Sequence, residues 1–350
     1  MNGQASPIRV AILGASGYTG AELVRLLARH PGVDIRALTA DRKAGQTMAQ
    51  AFPHLGGLDL PDLVRIEDLD FADIDLVFGC LPHGTMHGLV KRLPERVRVI
   101  DLSADFRLED PAVYTEWYGL EHGATDLQPQ AVYGLPELHR DAIRGARIVA
   151  GPGCYPTSVQ IPLVPLARRG LIGLDDIIAD SKSGVSGAGR AAKEANLHTE
   201  VSEGIHAYGV TRHRHVAEIE QGLRWATGRD VTVTFTPHLM PMNRGILSTI
   251  YVSLVEGVGV DDLRVALAEH YAGEPFVRVL PAGGVPATRH VRGANHVLIG
   301  VFPDRRPGHA IVICVEDNLV KGASGQLVQC MNVMYGFPET QGLEQLALFP

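Results

Sequence analysis

One of the four cysteines in this chain, Cys154, stands where a thiol can do chemistry. It follows a Gly151-Pro152-Gly153 turn and precedes Tyr155-Pro156-Thr157 and an apolar run over residues 159–166. Pro156 suits a first helical position, so the spacing predicts a thiol at a helix N-terminus. There the helix dipole favours thiolate, the attacking form. The flanking glycines leave room for reactants to approach. A buried structural cysteine is the competing reading; the Gly/Pro-flanked helix start favours a nucleophile. Cys80 and Cys314 end apolar runs and read as small buried hydrophobes. The cysteines are too scattered for a zinc ribbon or a disulfide framework.

A thiolate mechanism needs a proton partner. Among fifteen histidines, His213 and His215 stand out, because Val216, Ile219 and Leu223 mark a helical stripe that places His213-Arg214-His215 at that helix's N-terminal end. The dipole there keeps imidazole neutral and available as a base, and Glu218 could orient it. A metal site, a solvated basic turn and a satisfied core histidine compete with this reading. No third ligand is clustered nearby in sequence, so no metal is expected. The pattern does not choose between His213 and His215.

Two glycine-rich segments offer anion sites. Gly14-Ala15-Ser16-Gly17-Tyr18-Thr19-Gly20 links an apolar run over 8–13 to an amphipathic pattern over 18–29, the placement a pyrophosphate-binding turn requires. Gly14, Ser16, Gly17, Tyr18 and Thr19 are therefore cofactor candidates. About 20 residues on, where a ribose would lie, Asp41 is followed by Arg42 and Lys43; the acidic residue suits NAD, and the basic pair favours a 2′-phosphate, hence NADP(H). The second segment, Ser183 to Arg190, is a candidate nest for a phosphate or carboxylate, through the backbone of Ser186 and Gly187 and the charge of Arg190. It follows a strand pattern at 176–181, so it is not the dinucleotide turn; a flexible loop is the alternative. Arg107 is a weaker substrate candidate.

These residues need elements to hold them. Apolar runs at 34–39, 74–80, 97–102 and 148–150 alternate with helical patterns, which implies parallel βαβ units and a doubly wound Rossmann-type sheet. After about residue 175 the pattern changes. Alternation at 231–236, 246–254, 296–301 and 310–315 predicts an inserted α+β domain on a mostly antiparallel sheet, covered by helices at 214–225 and 262–271. A last helical pattern at 324–334 returns to the first domain. The expected division is 1–153 with 318–350 for the dinucleotide, and 154–317 for catalysis, substrate and oligomerisation.

At 350 residues, two domains are the first expectation. Hydrophobic residues at 45% and charged residues at 20% describe an ordinary globular chain. The net charge of −7 comes without a basic run, which argues against nucleic acid. No apolar run is long enough to span a bilayer, and the first residues show no secretory pattern, so a cytoplasmic protein is expected.

The motifs, in order, resemble those of the N-acetyl-gamma-glutamyl-phosphate reductases, relatives of aspartate-semialdehyde dehydrogenase. The likeness runs through residues 14–20, Leu81-Pro82-His83-Gly84, 101–107, Tyr133-Gly134-Leu135-Pro136-Glu137, 151–157, 183–190 and 213–219. Gly245-Ile246-Leu247 and the stretch from Asp317 to Gln326 carry it almost to the C-terminus. The resemblance implies that Cys154 attacks an acyl phosphate, phosphate leaves, and NADPH reduces the thioester to N-acetylglutamate semialdehyde. It implies His215 as acid/base with His213 as alternative, Asn318 near the nicotinamide, and cations such as Arg190 or Arg214 on substrate carboxylates. It also implies a homodimer or homotetramer. Carrier-bound aminoadipyl phosphate or aspartyl phosphate is the nearest alternative substrate. A cysteine hydrolase and a non-catalytic nucleotide sensor are the alternatives of other classes.

Overall fold

The computed structural model describes residues 6–350. It divides into two compact units, residues 6–152 with Ala323–Glu344, and Gly153–Gly322 with Gln345–Pro350.

The first unit is built on seven strands: β1 (Ile8–Leu13), β2 (Val33–Thr39), β3 (Leu63–Val64), β4 (Leu76–Gly79), β5 (Arg98–Asp101), β6 (Ala131–Tyr133) and β7 (Ile148–Ala150). All are parallel, in the order β3-β2-β1-β4-β5-β7-β6. Val10 of β1 stands between Ile35 and Leu76, so β1 is central and nearly all buried. The strand order reverses between β1 and β4, and a ligand crevice opens outside the carboxyl ends of the strands at such a point. The glycine turn lies at that end of β1.

The C-terminal helix Gly325–Tyr335 belongs to this unit, and Leu327, Val328, Met331 and Met334 are all buried, as their helical spacing predicts. Polar bonds fix its register. Ser324 Oγ donates to the carbonyl of Thr19 at 2.8 Å, and His30 Nε2 meets Asn332 Oδ1 at 3.0 Å.

The second unit holds β8 (Ile177–Gly184), β9 (His206–Ala207), β10 (Val233–Met240), β11 (Ile246–Ser253), β12 (Val277–Val279), β13 (Val297–Pro303) and β14 (His309–Glu316), in the order β12-β13-β14-β11-β8-β10-β9. Four neighbouring pairs are antiparallel, whereas β8–β10 and β12–β13 are parallel. The β8–β10 pair is parallel because the helix His215–Thr227 makes the crossover between them. Alternation reports a covered face without reporting strand direction.

Helices Cys154–Arg168, His215–Thr227 and Val260–His270 belong to this unit, and their apolar residues supply its core. The first is nearly all buried and contains Pro162 and Pro165. A helix proline removes one N–H and orphans the carbonyl four residues back. The hydroxyl of Tyr271 donates to that carbonyl at Ile161. Gly222 lets the first two helices approach: a Cβ there would stand 2.5 Å from Gln160 Oε1, and Gln160 Nε2 donates to the Glu218 carbonyl at 2.7 Å.

The division departs from the sequence-based boundaries in three places, the first being Gly153, which falls in the second unit. Residues 318–322 stay with the second unit, because Asn318 Oδ1 accepts from Gly245 N and Asp317 Oδ2 from Gly293 N. The last six residues also return to it, through a bond from Leu348 N to the carbonyl of Arg292 at 2.9 Å.

Candidate active site and nucleotide turn

Cys154 is the first residue of its helix, with Gly153 as N-cap in an extended conformation. The helix therefore starts two residues before the proline that signals it. The Gly153 N–H donates to Glu218 Oε2 at 2.9 Å, and Glu218 is fully buried. A carboxylate accepting from an amide makes a strong bond, so the turn carrying the thiol is anchored on the neighbouring helix.

The His215 ring lies against the same turn. A Cβ on Gly153 would meet its Nε2 at 2.5 Å and its Cε1 at 2.7 Å, so only glycine lets the imidazole approach the backbone next to Cys154. The His215 ring also stands edge-on to Tyr155 and His213, with centroids 5.9 and 4.7 Å away. His213 is placed differently. It packs edge-on among Tyr155, Tyr208 and Phe235, and its Nδ1 accepts the His215 N–H at 3.2 Å. Burial, aided by Arg214, pushes its pKa down to about 4, which keeps the ring neutral.

Tyr208 donates its hydroxyl to that of Tyr155 at 3.1 Å, and Tyr155 donates to the His238 carbonyl at 3.2 Å. Burial and the paired ring raise the Tyr155 phenol well above its usual range, and burial does the same for Tyr208; both stay protonated. On another side of the thiol, Gly322 is wedged in place. A Cβ there would lie 2.8 Å from Cys154 Cβ and 2.7 Å from the Oε1 of buried Glu316.

The glycine-rich segment after β8 forms a short helical turn, Val185–Ala188, ending at Gly189 with φ +83. The amides of Val185 and Ser186, counted toward the expected nest, donate to the carbonyls of Met242 and Asn243. Ser186 Oγ accepts from Asn318 Nδ2 at 3.0 Å. Asn318, expected near the nicotinamide, is thus a buried brace of this loop within the second unit. Gly187, Arg190 and Arg214 are exposed. Arg107 lies in the first unit, buried, with one guanidinium nitrogen donating to the Leu102 carbonyl at 2.6 Å.

In the first unit the three turn glycines have different duties. Gly14 has φ +79, and a Cβ would sit 2.3 Å from the Cys80 carbonyl oxygen. Gly20 would clash with Gly14 O and Ala15, so it lets the helix Tyr18–Leu27 press onto the strand end. A Cβ on Gly17 would have only Gly14 O within 4 Å, at 3.4 Å, which leaves backbone open beside Ser16, Tyr18 and Thr19. That openness fits a pyrophosphate. Past β2, Arg42 is exposed and Lys43 half-buried, and Arg65 stands 3.8 Å from Asp41, a further cation where a ribose phosphate would lie. The half-buried Cys80 thiol is pushed up to about 12 by desolvation, so it is no rival to Cys154.

Sequence reasoning did not single out Tyr155, Tyr208, Glu316, Gly322 or Arg65. Tyr155 and Gly322 lie inside quoted motifs, where their neighbours drew the attention. Among the described residues no helix is long and apolar enough to cross a membrane.

A parallel nucleotide-type sheet, and a separate mixed-sheet unit with a cysteine at a helix start, are the two parts matched by the semialdehyde dehydrogenase family models. The NAD binding domain model matches residues 9–146, and the dimerisation domain model matches residues 154–318. The chain is 66% identical over 348 residues to the N-acetyl-gamma-glutamyl-phosphate reductase of Rhodospirillum rubrum, covering 98% of this chain and 99% of that one. It is 59% identical to the probable chloroplastic N-acetyl-gamma-glutamyl-phosphate reductase of Arabidopsis thaliana, covering 98% and 86%. Among solved structures, the Candida albicans aspartate semialdehyde dehydrogenase with NADP shares the fold at TM-score 0.71 and 18% identity, over 94% of this chain and 99% of that one. The chain belongs to the N-acetyl-gamma-glutamyl-phosphate reductase family. It is an oxidoreductase with a nicotinamide-dinucleotide-binding domain.

Proposed function

We propose that this enzyme reduces N-acetyl-gamma-glutamyl phosphate to N-acetylglutamate 5-semialdehyde and inorganic phosphate, with NADPH, through a thioester on Cys154. The observation that carries the site is His215 Nε2 lying against Gly153, the residue before the cysteine. His215 takes the thiol proton, and Cys154 Sγ attacks the γ-acyl carbon. The C–S bond forms, the acyl C–O bond to phosphate breaks, and phosphate leaves with the bonding pair. NADPH, when bound, supplies the hydride that reduces the thioester carbon. The protonated His215 gives its proton to the resulting oxyanion. On collapse His215 takes that proton back, the C–S bond breaks, and the aldehyde leaves Cys154 as thiolate. Splitting one reduction into acylation and thioester reduction gives hydride a more electrophilic carbon.

His213 supports this chemistry by holding the start of the His215 helix. Gly14, Ser16, Gly17, Tyr18 and Thr19 would hold the cofactor pyrophosphate, and Arg42, Lys43 and Arg65 its 2′-phosphate. The Ser186–Gly187 turn, Arg190 and Arg214 would face the substrate anions, and Asn318, which braces that turn, would lie near the nicotinamide. We place the protein in the cytoplasm, in arginine biosynthesis. We also expect a homodimer or homotetramer: Ile178, Leu247, Tyr251, Ile311 and Ile313 line the half-buried outer face of the second sheet, an apolar surface a second copy can cover.

The test is the reverse reaction, phosphate-dependent reduction of NADP by N-acetylglutamate semialdehyde, followed by absorbance. A rate that needs both phosphate and Cys154 supports the reading. Preference for a carrier-bound aminoadipyl substrate, or hydrolysis without NADPH, overturns it.

A further inference from the structure

We propose that Arg244 binds the α-carboxylate of the acyl substrate and thereby selects which acyl phosphate reaches Cys154; the inference rests on the substrate reading above. Arg190 and Arg214, named from sequence, lie at exposed loop and helix-start positions, whereas Arg244 is built into the framework of the site. Its side chain is 27% exposed, and Nη1 stands 3.5 Å from Oδ1 of Asp317, which is fully buried. Asp317 is itself immobilised, because Oδ2 accepts from Gly293 N at 2.6 Å and Oδ1 from Leu319 N at 2.8 Å.

The backbone around Arg244 is equally fixed. Gly184 N donates to the Gly245 carbonyl, Ser186 N to the Asn243 carbonyl, and Gly245 N to Asn318 Oδ1. A Cβ on Gly184 would meet Arg244 N at 2.7 Å, so the loop carrying the arginine is pressed against the turn that carries Ser186.

The same framework leads to the nucleophile. A Cβ on Gly322 would touch both Cys154 Cβ, at 2.8 Å, and the Asp317 carbonyl oxygen, at 3.4 Å. Arg244 is therefore held by the residue that is packed, through one glycine, against the thiol. A guanidinium has five N–H donors in a planar fork, so one seated on a buried carboxylate can offer an edge to a second carboxylate. Of the groups on the proposed substrate, the α-carboxylate is the permanent anion that stays after phosphate leaves. A fixed arginine fits it better than a cation on a flexible arm.

The experiment compares two aldehydes in the phosphate-dependent reverse reaction: N-acetylglutamate semialdehyde, and 4-acetamidobutanal, which lacks only the carboxylate. Wild type, R244K and R244M are assayed, with thermal unfolding and the KM for NADP measured alongside. The expected result is a wild-type preference for the carboxylated aldehyde in kcat/KM on the order of 100-fold. R244M abolishes that preference, with no change in the KM for NADP. R244K, which keeps charge at Asp317 but loses the planar fork, lowers the preference about tenfold. Equal losses on both aldehydes, or an unchanged preference in R244K, overturn the assignment; the R244K result decides it if R244M does not fold. A wild-type enzyme inactive on both aldehydes overturns the parent reading instead, which is a different outcome.

Discussion

Nδ1 of His213 accepts the backbone N–H of His215 at 3.2 Å, and this bond separates two histidines that sequence leaves equivalent. A ring accepting at Nδ1 is neutral with its proton on Nε2. His213 thereby supplies an acceptor to an N–H near the start of the helix His215–Thr227, where backbone donors lack intrahelical partners. His215 sends its own Nε2 to Gly153.

Exchanging each histidine should therefore give unlike variants. H215N is expected to lower kcat by about 10²–10⁴-fold, the range of general acid–base catalysis, with little change in melting temperature. H213A is expected to lose about 1 kcal/mol of stability from the missing acceptor, with the smaller loss of kcat. Steady-state kinetics and thermal melts on both variants check this, and the reverse pattern would exchange the roles.

His213 also makes stability depend on pH. Its pKa falls from 6.5 to about 4 on folding, with burial the main cause. Between those values the unfolded chain binds a proton that the native ring refuses. The stabilisation is whole above about pH 6.5 and is lost as pH falls toward about 4. H213N keeps an acceptor but does not titrate, so its melting temperature should fall less than that of wild type across this window. Equal slopes would show that the ring is not held neutral.

The chain's alternation of strands and helices made the nucleotide unit legible, because a parallel sheet buried on both faces writes continuous apolar runs such as 10–13. Cys154 was legible because glycine and proline punctuate its turn. The remainder depends on long-range packing. The bond from Gly153 N to the Glu218 carboxylate joins residues 65 apart, and no local pattern announces it. Gly322 reads as one more small residue in a helical start, and only the fold sets it against Cys154. The nest expected at 183–190 looked open because nothing local shows that Met242 and Asn243 supply carbonyls to two of its amides.

Thiol chemistry should isolate Cys154. Burial raises the Cys80 thiol to about 12 and holds the Cys314 thiol well above its usual value, while Cys330 is buried with its Sγ donating to the Gly134 carbonyl. Iodoacetamide at pH 8 should add a single carbamidomethyl group to the native protein, as read by intact mass. C154S should take up none and lose turnover by at least about 10³-fold. A native C154S that still labels would mean that another thiol is reactive.

Cofactor preference should follow the charge beyond β2. Replacing Arg42 and Lys43 together by serine is expected to raise the KM for NADPH about tenfold or more while leaving that for NADH unchanged, since only NADPH carries the 2′-phosphate. R65A should act in the same direction. Parallel increases for both cofactors would assign these residues to the shared part of the dinucleotide.

Gly153 gives the sharpest test of the site's geometry. Its φ of −65 and ψ of 151 suit any residue, so alanine meets no backbone penalty. The obstacle is the added methyl, which would stand 2.5, 2.7 and 2.8 Å from Nε2, Cε1 and Cδ2 of His215. Atoms that close cannot coexist, so the imidazole must leave the turn while Cys154 keeps its place in the chain. G153A is expected to cost about 1–3 kcal/mol of stability, the usual range for overpacking. Its kcat should fall as far as that of H215N, with the KM for NADPH unchanged. Combining G153A with H215N should then cost little more than either alone, because both remove the same imidazole. G145A, at a glycine whose Cβ would meet nothing within 4 Å, is the control and should leave activity intact. Wild-type kcat in G153A would mean that the reaction does not need His215 at this position.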